Sequence, residues 1–462
     1  MVLDQIIART REDVARRMQG APFEELRRQV RPSPRSFAAA LRRPSAGFVM
    51  ECKRASPSEG IIREDYDPGA IASAYAPHAD AISVLTDGPF FGGSRQHLRE
   101  VREAVSLPLL CKDFVIHPYQ VFEARIHGAD AVLLMLSALD EASYRDCATA
   151  AKAAGIEIIT EVHTAAELDV ALRLGAEVIG INNRNLATLS VDLDTVRALA
   201  PRVPADRILI CESGIRSHRE VHELRRLVNG FLVGTSLMRA PDVPRAVRSL
   251  IYGPVKVCGL TRPPDAVAAW EAGASFGGLI FAGESPRRVD QGAARAIRDS
   301  APLTWVGVFV NERIRRIAEL AHQLALGAVQ LHGEETAGEV DALRPLLPAG
   351  CEVWKAVRVS DRLPAVAETG ADRLLLDTWR DGQRGGTGER FDWSPIAAHP
   401  DKARFILAGG LTPETAAAAD GLGVAGLDVN SGVEERPGIK SRSRLAAFFA
   451  ALRGTGREAD DR

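Results

Sequence analysis

The chain repeats one pattern: a short apolar run ends in a polar or charged residue, and a helical stretch follows it. The pattern occurs about eight times before residue 250 and again after residue 254. Apolar runs that alternate with helical segments are typical of strands in a parallel sheet with both faces buried. Charges placed repeatedly at the ends of such strands need a reason. The mouth of a (β/α)8 barrel, where active sites are built, provides one.

The length of the chain favours two barrels over one. It has 462 residues, and a single barrel typically has ~250. Alternation by itself also fits an open doubly wound sheet, but eight units in each half, with polar residues at strand after strand, favour barrels. The sequence therefore predicts an α/β protein of two tandem (β/α)8 TIM barrels. Residues 3–45 are predicted to form a helical extension before the first strand.

The predicted strands set the domain boundaries. The first series falls at 47–52, 81–86, 108–112, 131–136, 156–161, 178–182, 208–212 and 230–234. The second falls at 255–258, 276–281, 304–310, 327–331, 352–356, 373–377, 404–408 and 426–429. The segment between them, Tyr252-Gly253-Pro254, is too short for a flexible linker. We expect a first domain over 1–253, a tightly tethered second domain over 254–452 and a frayed polar tail over 453–462.

Composition limits the partners and the compartment. The net charge of −2 gives no general attraction to nucleic acid or to an anionic membrane, so anion binding must be local. No apolar run approaches the ~18 residues of a membrane span, and the N-terminus lacks a signal-peptide core. The six cysteines form no CxxC pair, which suggests neither a zinc site nor a disulfide framework. We expect a cytoplasmic protein without a metal, a nucleic acid partner or a membrane partner.

In the first half, charged residues end several predicted strands. Glu51 and Lys53 lie on one side of the first strand, where their charges can pair. Four later strand ends would converge on the same mouth: Lys112, Glu161, Asn182 and Glu212. Lysines and carboxylates in one cavity drive one another's pKa values apart, which supplies an acid and a base near neutral pH. A solvated strand end is an equally good interpretation for any one residue, but a poor one for the whole set.

Turns after the seventh and eighth predicted strands favour an anion site. Ser213-Gly214 and Gly234-Thr235-Ser236 occupy the positions where barrels often bind phosphate through backbone N–H groups. Taken alone, such glycines more often mark tight turns. Beside the charged strand ends, they suit an oxyanion such as a phosphate group.

The first half resembles the indole-3-glycerol phosphate synthase family over nearly its whole length. The matching stretches, which together are highly specific, are Glu51–Ser58, Leu110–Phe114, Thr160–His163, Gly180–Leu186, Cys211–Ile215 and Val233–Met238. The resemblance implies ring closure of 1-(2-carboxyphenylamino)-1-deoxyribulose 5-phosphate with loss of carbon dioxide and water. The helical N-terminal extension is also similar to that of the family.

This resemblance implies roles for the residues of the first half. Lys112 would be the general acid and Glu161 the base in the dehydration, while Lys53 either holds the substrate carboxylate or shares the acid role. Glu51, Asn182 and Glu212 would position hydroxyls and the lysines. The substrate-binding residues implied are Ser56, Phe114, Asn182, Arg184, Glu212, Ser213, Gly214, Gly234 and Thr235.

In the second half, the residues at the ends of the predicted strands differ from the lysines and glutamates of the first half. Cys258 ends the first strand of this series, although a free cysteine is more often a small buried residue than a functional one. Asp377 follows three leucines at the end of the sixth strand, so it either caps a turn or faces the mouth. Loops of glycine and small polar residues allow close backbone approach and complete a plausible phosphate pocket. They contain Gly385, Gly386, Gly409, Gly410, Asn430, Ser431 and Gly432.

This half resembles the phosphoribosylanthranilate isomerase family across nearly all of residues 254–450. The matching stretches are Lys256–Thr261, Gly278–Phe281, Ser285–Arg287, Val308–Asn311, Val329–Glu334, Leu376–Thr378, Gly385–Gly388, Ala408–Leu411 and Asp428–Glu434. The resemblance implies an Amadori rearrangement of N-(5-phosphoribosyl)anthranilate. One departure is Arg288, where the family commonly has an aromatic residue.

The second resemblance also implies roles. Asp377 would be the general acid that protonates the sugar ring oxygen, and Cys258 the general base that takes a proton from the sugar C2. Arg287 would bind the anthranilate carboxylate as a planar, bidentate partner. Gln330 and His332 are expected at the substrate as well, although a histidine in the core or lining the mouth is the plainer interpretation.

The two implied reactions are consecutive, because the isomerase product is the synthase substrate. The chain as a whole resembles the bifunctional lyase and isomerase of tryptophan biosynthesis, with the synthase domain first. Phosphorylated anthranilate-sugar substrates are implied, no redox or metal cofactor is, and we expect a monomer. Two alternatives stay open. One is another phosphosugar isomerase built from duplicated barrels, and the other is a chain in which one barrel is structural or regulatory.

Overall fold

Two closed barrels, each of eight parallel strands in sequence order, organise the chain. The computed structural model describes residues 2–185, 188–358, 363–377 and 393–457. These residues form two units. One runs from the N-terminus to Val247 and includes the chain after Gly454, and the other runs from Arg248 to Gly454. The predicted fold class of two tandem (β/α)8 barrels is confirmed.

The strands of the first barrel lie within one residue of their predicted positions. They are Gly47–Cys52, Ala81–Leu85, Leu109–Lys112, Ala131–Met135, Glu157–Val162, Val178–Asn182, Ile208–Glu212 and Gly230–Val233. Most are buried along their whole length, as expected for strands covered on both faces. The parallel register sets Leu85 beside Lys112 and Asn182 beside Glu212, so the polar strand ends lie at one rim.

Three helices precede the first strand, which confirms the predicted extension: Val2–Gly20, Phe23–Gln29 and Phe37–Leu41. Phe37 and Leu41 are fully buried and pack with the barrel core. A small hairpin, Ala55–Ser56 with Gly60–Ile61, follows the first strand. The later helices are Pro68–Tyr75, Gly88–Phe91, Arg95–Ala104, Pro118–Ile126, Glu141–Ala154, Ala165–Arg173, Asp194–Leu199, His218–Leu224, Thr235–Met238 and Val243–Tyr252, with a 3-10 turn at Ala200–Arg202.

The second barrel follows its predicted strands within two residues. Its strands are Val255–Val257, Phe276–Ile280, Thr304–Phe309, Ala328–Leu331, Glu352–Arg358, Arg373–Asp377, Phe405–Leu407 and Gly426–Val429. Its α-helices are Pro263–Ala272, Gln291–Arg298, Ile314–Leu324, Ala337–Leu343, Ser394–Ala397, Pro413–Asp420 and Arg442–Arg453. Short 3-10 turns lie at Arg344–Leu346, Val366–Thr369, Lys402–Arg404 and Ser431–Val433, and a hairpin pairs Glu434–Arg436 with Ile439–Lys440. Over the residues that the structure describes, no helix is long and apolar enough to cross a membrane.

The start of the C-terminal tail is paired, contrary to the expectation that the tail is frayed. Thr455 forms an isolated antiparallel bridge with Ser45, and the Gly456 backbone N–H donates to the Pro44 carbonyl at 2.8 Å. Both partners lie just before the first strand. The polar composition of the tail gave no sign of this pairing, because backbone groups make it and they are the same for every sequence.

Candidate active sites

A cavity of about 520 Å³ lies at the C-terminal ends of the strands in the first barrel. It brings together the site residues predicted for this half, with the exception of Ser56. The Ser56 hydroxyl lies 3.3 Å from that of Ser58, which accepts a hydrogen bond from Arg184. The predicted residues that line the cavity are Glu51, Lys53, Lys112, Phe114, Glu161, Asn182, Arg184, Glu212, Ser213, Gly214, Gly234 and Thr235.

Lys112 lies at the centre of the charges in this cavity. Its Nζ donates to Glu161 Oε2 and to Glu212 Oε2, each at 2.8 Å. A second ion pair joins Lys53 Nζ to Glu51 Oε1 at 3.0 Å. Glu51, Lys112, Glu161 and Glu212 belong to the first, third, fifth and seventh strands. Alternate strands of a barrel supply the side chains of one interior layer, so these four charges share a layer at the mouth.

The two carboxylates that share Lys112 have pKa values displaced in opposite directions. Burial, together with the charge of Glu161, raises the pKa of Glu212 to about 7. Burial acts on Glu161 in the same direction, but Lys112 and His163 outweigh it and hold the pKa of Glu161 below its usual range. Burial opposes the ammonium form of Lys112, yet the surrounding carboxylates raise its pKa. At neutral pH the lysine is charged and Glu161 is ionised.

His163 contacts the site although sequence reasoning gave it no role. Its Nε2 lies 3.3 Å from Glu161 Oε1, and its Nδ1 lies 3.5 Å from Glu167 Oε2. Burial opposes the charged imidazole, but Glu167 and Glu161 raise the pKa of His163. The spacing of Glu161 and His163, two residues apart at a strand end, is a signal for this contact, since such side chains lie on the same side.

The two predicted anion-binding turns line the same cavity. Ser213 and Gly214 both have positive φ, at 63° and 91°. Gly234 approaches Glu51 so closely that a side chain at 234 would collide with the carboxylate. The absence of a side chain therefore leaves room for the carboxylate of Glu51. The cavity is also lined by apolar side chains, which suit an aromatic ring: Leu85, Phe91, Phe114, Leu133 and Met135.

In the second barrel, a chain of polar contacts links Cys258 with Asp377. Lys256 Nζ donates to Cys258 Sγ at 3.2 Å and to Gln330 Oε1 at 2.6 Å. The other end of the Gln330 amide lies 2.9 Å from His332 Nδ1. His332 Nε2 in turn lies 3.5 Å from Asp377 Oδ2. The predicted base and acid thus belong to one network, and Gln330 is buried within it.

Asp428, which sequence reasoning left without a role, completes the surroundings of Cys258. Its Oδ2 lies 2.8 Å from Lys256 Nζ. Burial and the charge of Asp428 raise the pKa of the Cys258 thiol, while Lys256 acts against them. Burial also opposes the charge of Lys256, but Asp428 and Cys258 raise its pKa, so it remains an ammonium ion. The sequence signal for this ion pair was one charged residue in each of two otherwise apolar predicted strands, Lys256 in the first strand and Asp428 in the eighth.

Arg287 is held by a buried ion-pair network. Its Nε and Nη2 donate to the carboxylate of Glu434, at 2.9 and 2.7 Å. Lys440 Nζ donates to Glu434 Oε1 at 2.8 Å and to Asn430 Oδ1 at 2.9 Å. One edge of the guanidinium therefore faces protein, and Glu434 fixes its plane.

The glycine loops of the second barrel lie side by side. Gly409–Gly410 has positive φ at both residues, 74° and 66°. A side chain at Gly432 would collide with the carbonyl oxygen of Leu411, so the two loops approach backbone to backbone. The following helix, Pro413–Asp420, begins with a capping box. The predicted glycines Gly385–Gly386 lie outside the described residues.

Similarity to known proteins agrees with this division into two sites. Residues 3–250 match the family model for indole-3-glycerol phosphate synthase, and residues 255–451 match that for N-(5'phosphoribosyl)anthranilate (PRA) isomerase. The tryptophan biosynthesis protein TrpCF of Yersinia pestis is 48% identical over 454 residues, which are 98% of this chain and 94% of that protein. The chain belongs to the TrpCF family. The resemblance found in the sequence is thereby confirmed.

Other TrpCF proteins match over similar lengths. That of Vibrio cholerae serotype O1 is 49% identical over 421 residues, covering 91% of this chain and 89% of that protein. That of Salmonella typhi is 46% identical over 452 residues, covering 98% and 99%. This TrpCF chain is a bifunctional enzyme of tryptophan biosynthesis, with the synthase, a lyase, in the N-terminal barrel and the isomerase in the C-terminal barrel. Its two activities are consecutive steps of the pathway.

Proposed function

We propose that Lys112 is the general acid and Glu161 the general base of ring closure in the first barrel. The substrate is 1-(2-carboxyphenylamino)-1-deoxyribulose 5-phosphate. The observation that carries the proposal is the Lys112 ammonium 2.8 Å from the carboxylates of both Glu161 and Glu212, inside a cavity large enough for a substrate. This contact keeps Lys112 protonated and Glu161 ionised, which are the forms that an acid and a base need.

The reaction then needs three events in the cavity. The aromatic carbon attacks the ketone, and Lys112 gives a proton to the ketone oxygen, because the developing alkoxide is a stronger base than the amine. Carbon dioxide leaves the attacked ring carbon and aromaticity returns. The new hydroxyl leaves as water, with a proton from Lys112 or Lys53, while Glu161 removes a proton from the neighbouring carbon. Glu51 and Glu212 position the two lysines.

The same cavity supplies the binding groups. Backbone N–H groups of Ser213–Gly214 and Gly234–Thr235 bind the phosphate. Lys53 either holds the substrate carboxylate or shares the acid role, as its place beside Glu51 allows. The apolar wall around Phe114 packs on the aromatic ring. The remaining contacts are assigned to Asn182 and Arg184, and Ser56, which does not line the cavity, supports Arg184 through Ser58.

In the second barrel we propose that Asp377 is the general acid and Cys258 the general base of the Amadori rearrangement. Asp377 protonates the ring oxygen of N-(5-phosphoribosyl)anthranilate as the sugar opens to an iminium ion. The Cys258 thiolate then removes the proton on C2, and the resulting enolamine becomes the ketone. The polar chain through Lys256 and His332, which links acid and base, supports this pairing.

Binding in the second barrel uses a fixed guanidinium and two loops. Because Glu434 takes the Nε–Nη2 edge of Arg287, the anthranilate carboxylate binds its outer edge, with Nη1 as the main donor. The adjoining loops Gly409–Gly410 and Asn430–Gly432, together with Gly385–Gly386, bind the phosphate. Gln330 and His332 complete the substrate site beside Asp377.

We further propose that residues 1–253 and 254–452 are the two catalytic domains, and that the chain acts as a monomer in the cytoplasm. All six cysteines are free thiols and five of them are buried, which suits a reducing compartment. Light scattering of the purified chain should then give a mass near 49.7 kDa. A mass twice as large would contradict the monomer.

The decisive experiment feeds N-(5-phosphoribosyl)anthranilate to the purified chain and follows indole-3-glycerol phosphate. We expect the product to form without added metal or redox cofactor. A Lys112→Ala chain should stop at the deoxyribulose intermediate. A Cys258→Ala chain should leave the first substrate unused but still convert the intermediate. If either variant supported the full conversion at the normal rate, the corresponding role would be wrong.

A further inference from the structure

We propose that Lys256 is a positioning residue that favours ionisation of the Cys258 thiol for the isomerase reaction. The inference rests on the role proposed above for Cys258. It adds that the Lys256 ammonium group makes this thiol more acidic. Lys256 lies within the first strand of the second barrel and Cys258 follows the end of the same strand. Being two residues apart, their side chains lie on the same side of the chain.

The ammonium group of Lys256 is buried, and it has a hydrogen-bond acceptor for each of its N–H groups. Its side chain is 1% exposed, and its three N–H groups have three acceptors within hydrogen-bonding distance. They are Cys258 Sγ at 3.2 Å, Gln330 Oε1 at 2.6 Å and Asp428 Oδ2 at 2.8 Å. Burial and these three acceptors place the charge of the lysine beside the sulfur.

Lys256 and Cys258 pack together against a glycine of the second strand. A Cβ placed on Gly278, in the second strand, would come within 2.8 Å of both Cys258 Sγ and Lys256 Cε. Only a glycine leaves the space that the sulfur and the lysine side chain occupy. The contact between Lys256 and Cys258 is therefore built into two strands of the barrel.

The thiol needs this cation because its other surroundings oppose ionisation. Burial and the carboxylate of Asp428 both raise the pKa of Cys258. Lys440 lowers it, and Arg287 also interacts with the sulfur, but both cations are engaged with Glu434. Lys256 is the cation that donates a hydrogen bond directly to the sulfur. Its loss leaves the sulfur next to an uncompensated Asp428.

A purely structural role for Lys256, as the ion-pair partner of Asp428, makes a different prediction. If the pair only held two strands together, replacing either member would loosen the same contact, and the thiol would respond in the same direction. If Lys256 acts on the sulfur, removing the lysine and removing the carboxylate displace the thiol pKa in opposite directions.

The test measures thiolate directly, in the full-length chain. The rate of alkylation of Cys258 by iodoacetamide is followed from pH 6 to pH 10, and peptide mass spectrometry separates this cysteine from the other five. Lys256→Met should move the midpoint upward by on the order of one pH unit or more, and Asp428→Asn should move it downward. Lys256→Arg, which keeps the charge, should stay close to the wild type.

Activity measurements accompany the alkylation. In Lys256→Met the isomerase kcat should fall at neutral pH and recover in part at alkaline pH, whereas ring closure by the first barrel is unchanged. Midpoints that do not move, or that move together in the methionine and asparagine variants, would overturn the proposal. If the methionine variant does not fold, Lys256→Gln, which is also uncharged but keeps hydrogen bonds to Gln330 and Asp428 within reach, should show the same upward displacement, and an unmoved midpoint in that variant would overturn the proposal. A Cys258→Ala chain that retained isomerase activity would instead refute the role of the cysteine and leave the alkylation result standing.

Discussion

At the scale of single residues, the first site depends on one lysine between two carboxylates. Lys112 is hydrogen bonded to Glu161 and Glu212, and a second lysine, Lys53, lies next to Glu51. We expect Lys112→Ala to lower kcat of ring closure by about 10²–10⁴ while isomerisation is unchanged, because the ketone oxygen loses its proton donor. Steady-state kinetics of both reactions on the same preparation provide the measurement and its internal control.

Lys53→Ala is the matched comparison for Lys112→Ala. If Lys53 holds the substrate carboxylate, this variant raises KM for ring closure more than it lowers kcat. If it shares the acid role, kcat falls as well. Near-normal turnover of the Lys112 variant, with a large loss in the Lys53 variant, would exchange the two assignments.

Glu212 makes the first site sensitive to pH. Burial and the charge of Glu161 raise its pKa to about 7, so the carboxyl is neutral below this pH and negative above it. A negative charge added to the cavity repels an anionic substrate. KM for ring closure should therefore rise by about tenfold between pH 6 and pH 8, and Glu212→Gln should flatten the rise. Substrate titration affects both chains equally, so an identical pH profile in the two would contradict this reading of Glu212.

At the scale of elements, the turn after the eighth strand contains the glycine whose substitution tests the proposed anion site. Gly234 lies against Glu51, and a methyl group there would push the carboxylate away from Lys53. Gly234→Ala should raise KM for ring closure by about tenfold. The added methyl group overpacks the binding loop, and such overpacking typically costs about 1–3 kcal/mol. Ring-closure kinetics with saturating and limiting substrate separate KM from kcat.

Gly175→Ala is the control for that substitution. Gly175 has φ of +75° and nothing within 4 Å of an added Cβ. Alanine there should cost about 1 kcal/mol of unfolding free energy through backbone strain and leave KM unchanged. Thermal melts of both variants check the first effect. A raised KM in Gly175→Ala would show that the assay responds to stability rather than to the loop.

The sequence predicted the elements closely, because each barrel strand is an apolar run that is buried on both faces. It also predicted most residues of the first cavity, since parallel strands bring their polar ends to one rim. The contacts of Asp428 with Lys256 and of Glu434 with Arg287 could not be predicted, because they depend on which segments face one another after the barrel closes. The hydrogen bonds of the C-terminal tail are made by backbone groups and have no residue signature.

At the scale of the whole molecule, two sites with different chemistry occupy separate barrels of one chain. The charges of the first layer come from strands between Gly47 and Val233, and the network around Cys258 comes from strands between Val255 and Val429. No side chain belongs to both sets. A substitution in one site should therefore leave the kinetics of the other reaction unchanged, as separate assays of the two steps can verify.

The separation of the sites makes a further prediction about mixtures. Lys112→Ala retains the isomerase site and Cys258→Ala retains the synthase site, so neither chain alone should convert N-(5-phosphoribosyl)anthranilate to indole-3-glycerol phosphate. Mixed in equal amounts they should restore the conversion after a lag, because the intermediate made by one molecule is released and bound by another. The length of the lag should fall as the concentration of the Cys258→Ala chain rises, since capture of the intermediate is bimolecular. If the mixture stayed inactive while each variant kept its single activity, the intermediate would have to pass between the two sites of one molecule without being released.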